Sequence, residues 1–152
     1  FDGVLRVVLK LFNLTQASNA YFGKKDAQQL SLISQMVKDL FIPINIVPCE
    51  IIREDDGLAL SSRNVYLDSK ERADSLLISK SLYMAGSLIS KGERDVQVVK
   101  NKIFDIMKNL EIEYVAIVDR EFNELELIEP KNTIILVVVR FGNTRLLDNI
   151  WL

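Results

Sequence analysis

Apolar residues Val4, Val8, Leu11 and Phe12 recur at helical spacing, with Arg6 and Lys10 between them, and predict a helix from about Gly3 to Leu14. The mostly polar stretch Thr15-Gln16-Ala17-Ser18-Asn19 stops it. Ala20-Tyr21-Phe22 then predicts a short buried strand, cut by Gly23. From Gly23-Lys24-Lys25-Asp26 the chain turns into a second helix, whose apolar face is Leu30, Ile33, Val37 and Leu40. Asp26 suits its cap, with Gln29 three residues on as the return partner of a capping box. Pro43 ends that helix, and Ile44 to Val47 predicts another strand. Strand, helix and strand within about 30 residues form a βαβ unit, which implies a parallel sheet.

The pattern then changes. Arg53-Glu54-Asp55-Asp56-Gly57 and Ser61-Ser62-Arg63-Asn64 predict a polar loop of the length that usually binds something or links modules. Beyond it, Asp68 or Ser69 starts a long helix with an apolar stripe of Ala73, Leu76, Leu77, Leu82 and Leu88, closed by Gly92. Asp95 caps a further helix carrying Val98, Val99, Ile103, Ile106, Met107 and Leu110. The tail alternates as β-structure: Tyr114 to Val118, Leu125 to Ile128, and Thr133 to Phe141, then a Gly142-Asn143-Thr144 turn into Leu146 to Ile150. The expected fold class is therefore α/β. Residues 1–51 look like the second half of a larger doubly wound domain, being too few to close a parallel sheet of their own. Residues 52–152 form a small α+β domain, helices followed by an antiparallel sheet.

Composition narrows the function. With 152 residues, 49% hydrophobic and 26% charged, the chain is a globular one. Its net charge of −2 supplies no basic field for nucleic acid or an acidic membrane, and its longest apolar run, Ile134 to Val139, is far short of a membrane span. No leader pattern is visible, so a cytoplasmic location is expected. Cys49 is the sole cysteine and there is no histidine. A Ser-His-Asp triad, a Cys-His pair and His- or Cys-ligated zinc within this chain are thereby excluded.

Two constellations carry candidate chemistry. Phe22-Gly23-Lys24-Lys25-Asp26-Ala27-Gln28-Gln29 lies where a strand ends and a helix begins, the position at which open α/β sheets bind ligands. Lys25 suits a phosphate, Asp26 a ribose hydroxyl and Gln29 a small polar substrate, while Gly23 admits a ligand close to the backbone. The same residues equally suit an ordinary turn with solvated lysines. In the second constellation, Ser61, Ser62 and Arg63 offer two hydroxyls and a charged fork to phosphate oxygens. Asp55-Asp56 suits Mg²⁺ or simply a solvated turn. An exposed linker is the plain alternative for the whole loop.

The strings Phe1-Asp2-Gly3-Val4, Lys10-Leu11-Phe12-Asn13, Tyr21 to Gln29 and Arg53 to Asn64 resemble, in order, those of bacterial pantoate–β-alanine ligases. Past Asp68 the likeness is looser, resting on element order and on Arg140-Phe141-Gly142-Asn143-Thr144-Arg145-Leu146. The resemblance implies a Rossmann-like nucleotidyltransferase domain followed by a smaller lid domain, a homodimer, and the Mg-ATP-dependent joining of D-pantoate to β-alanine through a pantoyl adenylate. It places Lys25, Ser61, Ser62 and Arg63 on the ATP phosphates, Gly23 and Asp26 on the ribose, Ile52 and Leu60 on the adenine, and Phe22 with Gln29 on pantoate. The family's His-x-Gly-His string has no counterpart here. The expectation is thus a C-terminal portion of the enzyme, inactive alone, with Lys25 and Arg63 converging in one cleft. The competing expectations are a non-catalytic nucleotide-binding or dimerising module, and another adenylyl-forming nucleotidyltransferase.

Overall fold

Helix α1, Asp2–Thr15, ends on Gln16 in a left-handed conformation (φ 49°), whose N–H returns to Phe12 O. Of its predicted apolar positions only Phe12 is buried, while Val4 and Leu11 stand in solvent. Phe12 meets the ring of Phe22 edge to face, with centroids 6.4 Å apart, which ties α1 to the first strand. Strands β1, Asn19–Gly23, and β2, Asn45–Cys49, pair in parallel from Asn19 opposite Asn45 to Gly23 opposite Cys49. Between them α2, Ala27–Asp39, supplies the crossover, as the βαβ pattern requires.

Two details of this segment depart from the sequence expectation. Lys24–Asp26 form a 3₁₀ turn ahead of α2, and Asp26 makes no side-chain cap, so the Asp26–Gln29 capping box is absent. Helix α2 also stops before Pro43. Phe41 takes φ 50°, Ile42 N–H donates to Val37 O and Phe41 N–H to Lys38 O. That is a Schellman closure with a phenylalanine where glycine is usual, and it leaves Leu40 outside the helix and exposed.

The computed structural model describes residues 1–152, which divide into two compact units, Phe1–Ile51 and Ile52–Leu152. In the second unit α3, Ser69–Ser90, begins with a complete Asp68–Glu71 capping box. It ends on Gly92 at φ 105°, with Glu93 N–H donating to Leu88 O. Its buried face is Ser75, Ile78, Ser81, Leu82, Ala85 and Ile89; of the predicted stripe Leu82 is buried, Leu76, Leu77 and Leu88 are half-buried and Ala73 is exposed. The two serines are tolerated there because their hydroxyls donate back to Arg72 O and Ile78 O at 2.7 and 2.8 Å. Helix α4, Val96–Ile106, is capped by Asp95, which accepts from Gln97 and Val98 N–H. Val98 itself faces solvent, and Val96 takes its place in the core.

Strands β3, Glu111–Val118, β4, Ile134–Phe141, and β5, Thr144–Trp151, form an antiparallel meander in that order. The β4–β5 turn is the two residues Gly142-Asn143, since Phe141 pairs directly with Thr144. The predicted strand at Leu125 to Ile128 does not form. Leu125 N–H donates to Ile117 O and Ile128 N–H to Arg94 O, so the segment is satisfied by two different neighbours and builds no ladder. One face of the sheet, Val115, Ile117, Ile135, Val137, Val139, Phe141 and Leu146, closes against α3 and α4. As the central strand, β4 is buried from Ile134 to Val139, which explains its unbroken apolar run.

Burial fixes where truncation is felt. Ile103→Ala, at a fully enclosed position, is expected to cost about 3 kcal/mol, and Val98→Ala on the wet face of the same helix less than about 0.5 kcal/mol. Equilibrium denaturation of both variants checks this, and equal losses would contradict it.

Candidate functional site

In the first unit the predicted residues do gather at one end of the parallel pair. Phe22 and Gly23 finish β1, Lys24, Lys25 and Asp26 make the 3₁₀ turn, and Gln29 sits in the first turn of α2. Lys24 is ion-paired with Glu50, just past the end of β2. A Cβ added to Gly23 would meet nothing within 4 Å, and its φ of −70° suits any residue. The glycine is therefore demanded neither by this unit's packing nor by its backbone, and the space before it is open to a ligand.

In the second unit the loop that looked like a linker is folded. Arg53 bridges to Ala59, Glu54 N–H donates to Leu58 O and Leu60 N–H to Ile52 O, at 2.8 and 2.9 Å. Ile52 and Leu60 are thus neighbours across a small hairpin, 66% and 55% exposed, an apolar pair with one open side. Ser62–Tyr66 then form a 3₁₀ turn with Ser61 at its start. Ser61 Oγ accepts from Arg63 N–H at 3.2 Å, which leaves its hydroxyl proton available to an outside acceptor. Ser62 and Arg63 are exposed.

A charged frame holds this hairpin. Asp148 pairs with Val137 in register and so lies on the helix-covered face of the sheet, 3% exposed. Arg53 meets it with both Nη atoms, at 2.6 and 3.1 Å, and Nη1 also reaches Gly57 O. A carboxylate so placed is tolerated only because it is paired and hydrogen-bonded. Arg72, from the first turn of α3, donates to both Glu54 and Asp56. The Leu58 N–H, followed by Arg72, holds the Asp56 carboxyl below its usual range. Asp56 is thereby committed to the frame, and no cluster of three or more metal-ligating side chains exists, so the residues do not fit a resident Mg²⁺ at Asp55-Asp56. Arg72 and Asp148 were not legible as partners of this loop, lying 18 residues from Glu54 and 95 from Arg53.

Parallel crossover, hydroxyl-and-guanidinium turn and helix-backed meander together define an α/β protein of the nucleotidyltransferase-like kind. The pantoate–beta-alanine ligase family model matches residues 1–151. The chain belongs to that family. It is 78% identical to a pantothenate synthetase of Aliarcobacter butzleri over 152 residues, all of this chain and 56% of that protein. A Campylobacter curvus pantothenate synthetase is 54% identical over 151 residues, 99% of this chain and 55% of that one. A crystal structure of pantothenate synthetase from Thermus thermophilus superposes with a TM-score of 0.93 at 35% identity, covering 99% of this chain and 55% of that one. A Francisella tularensis pantoate–β-alanine ligase, described as complexed with β,γ-ATP and β-alanine, gives a TM-score of 0.67 at 32% identity over 98% of this chain and 49% of that one. The chain thus spans about half the length of the relatives it matches.

Two consequences of the frame are measurable. Arg53→Met strands the buried Asp148 charge and should cost roughly 3 kcal/mol, more than Asp148→Asn, which removes the charge together with the need for its partner. Chemical denaturation that ranks the two the other way would contradict the pairing. Asp56 titrates below its ordinary value in the fold, so its hold on the hairpin is complete above that value and is lost as pH falls through the depressed one. The Leu58 amide resonance should accordingly shift with a midpoint below about 4, and not at all in Asp56→Asn. A midpoint above that rules the assignment out.

Proposed function

We propose that this chain forms part of an ATP-dependent ligase that joins D-pantoate to β-alanine. The carboxylate of pantoate attacks the α-phosphorus of ATP and displaces pyrophosphate. The amine of β-alanine then attacks the acyl carbon of the resulting adenylate and releases AMP. The observation that carries the reading is the Ser61-Ser62-Arg63 turn, whose hydroxyl and guanidinium donors are exposed in a chain of this family.

The roles follow from donor chemistry. Lys25, Ser61, Ser62 and Arg63 bind the phosphates and act catalytically by matching the charge that grows on the α-phosphate. Gly23 and Asp26 line the ribose, and the apolar Ile52–Leu60 pair covers one face of the adenine. Phe22 and Gln29 hold pantoate. Residues 1–51 act as part of the nucleotide and pantoate domain and residues 52–152 as its lid domain. Mg²⁺ enters with the triphosphate as part of the substrate, held by phosphate oxygens and water. Association as a homodimer and a cytoplasmic setting complete the proposal. No helix is long and apolar enough to cross a membrane, and the family's reactants as proposed are water-soluble.

In a full-length protein containing this chain, Lys25→Ala and Arg63→Ala should each slow adenylate formation by about 10²-fold or more, the loss usual for one transition-state donor. Single-turnover measurement at saturating ATP and pantoate checks it. Near-wild-type rates in both variants would overturn the assignment.

A further inference from the structure

Between the Ser61-Ser62-Arg63 turn and helix α3 sits one carboxylate with both oxygens engaged. Glu54 Oε1 accepts from Asn64 Nδ2 at 2.6 Å, and Glu54 Oε2 from Arg72 Nη2 at 2.7 Å. Asn64 directly follows Arg63, and its amide also reaches Ala59 O at 3.1 Å, so it spans the turn from both sides. Its backbone N–H donates to Ser61 O at 3.1 Å. On the other side Glu54 is itself fixed. Its N–H is bonded to Leu58 O, its carbonyl accepts from Gly57 N–H at 2.8 Å, and Arg72 rises from a helix turn set by the Asp68–Glu71 capping box. A continuous line of bonds therefore runs from α3 through Arg72, Glu54 and Asn64 to the backbone of Arg63.

We propose that Glu54 is a positioning residue for the phosphate-binding donors Ser61, Ser62 and Arg63, acting through Asn64 and anchored by Arg72. The inference rests on the reading of that turn as an ATP site. Donors aimed at a transition state are effective only when they are held in place beforehand, and a misplacement of about 1 Å costs on the order of 10²-fold in rate. Arg63 is exposed and has no ion pair to another residue of the chain, so its aim depends on the backbone beneath it. Glutamate is suited to this place because each of its oxygens serves a different donor. A glutamine would present its one oxygen to one of the two donors and its N–H₂ to the other, which breaks one of the two bonds. Arg72, shared with Asp56, offsets part of the charge of Glu54.

The test uses a full-length protein containing this chain and three variants: Glu54→Gln, Arg63→Ala and the double. Glu54→Gln is expected to slow single-turnover adenylate formation by about 10- to 100-fold, with KM for pantoate held within about twofold. Because Glu54 works through the turn that carries Arg63, the double variant should be no more than about threefold slower than Arg63→Ala alone. A wild-type rate in Glu54→Gln, or a double variant slowed by the product of the two single effects, would overturn the inference. A wild-type rate in Arg63→Ala instead removes the ATP-site reading of the turn, and the inference with it. Should Glu54→Gln fail to fold, Asn64→Ala removes the turn-side bond to Glu54 together with the one to Ala59 O, leaves the Glu54–Arg72 pair in place, and carries the same expectation.

Discussion

An acidic side chain on the helix-covered face of a sheet must find a cation, and in this protein that requirement organises the second unit. Asp148 stands in register with Val137 amid the apolar face, and Arg53 answers it with two parallel bonds. Arg53 opens the hairpin that ends in Ser61-Ser62-Arg63, so satisfying one buried charge also fastens that segment to strand β5 of the sheet. Arg72 fastens the same hairpin to α3 through Glu54 and Asp56. The loop is polar because it faces solvent, and ordered because its acidic residues are spent internally.

That division of labour explains how one short segment can hold so many charges and still offer a cationic surface. Glu54 and Asp56 are taken by Arg72, and Asp148 by Arg53, while Arg63 and the hydroxyls of Ser61 and Ser62 are directed outward. The first unit repeats the pattern in smaller form. Lys24 is paired with Glu50 across the ends of β1 and β2.

Helix ends show why some of this was legible and some not. Gly92 announces the end of α3 because glycine adopts positive φ at little cost, and the helix does stop there at φ 105°. The same closure ends α2 at Phe41, φ 50°, and nothing about a phenylalanine announces it, so Pro43 attracted the assignment instead. Asp68 and Asp95 were readable as caps and act as caps, whereas Asp26 has the same chemistry but closes a 3₁₀ turn and makes no side-chain cap bond. Ser75 and Ser81 count as polar in any pattern, yet they bond to their own helix and occupy core positions. In the candidate site, the hydroxyl and guanidinium donors were legible as residue types, while nothing in the local pattern marked Glu54.

The order of the helices and of the five strands that form, the parallel crossover, a hairpin turn opening at Gly142 and the family itself were determined by the chain as a string. Each depends on periodicity, on turn chemistry or on contiguous motifs, which are local properties. Which acids are paired, which face of α3 is buried, and what supports Arg63 were decided only by tertiary structure. Glu54 acquires its role from Arg72 and Asn64, and Arg53 from Asp148 at a separation of 95 residues. Electrostatic partnership depends on distance in space, and no local pattern encodes that distance until the sheet and helices have folded.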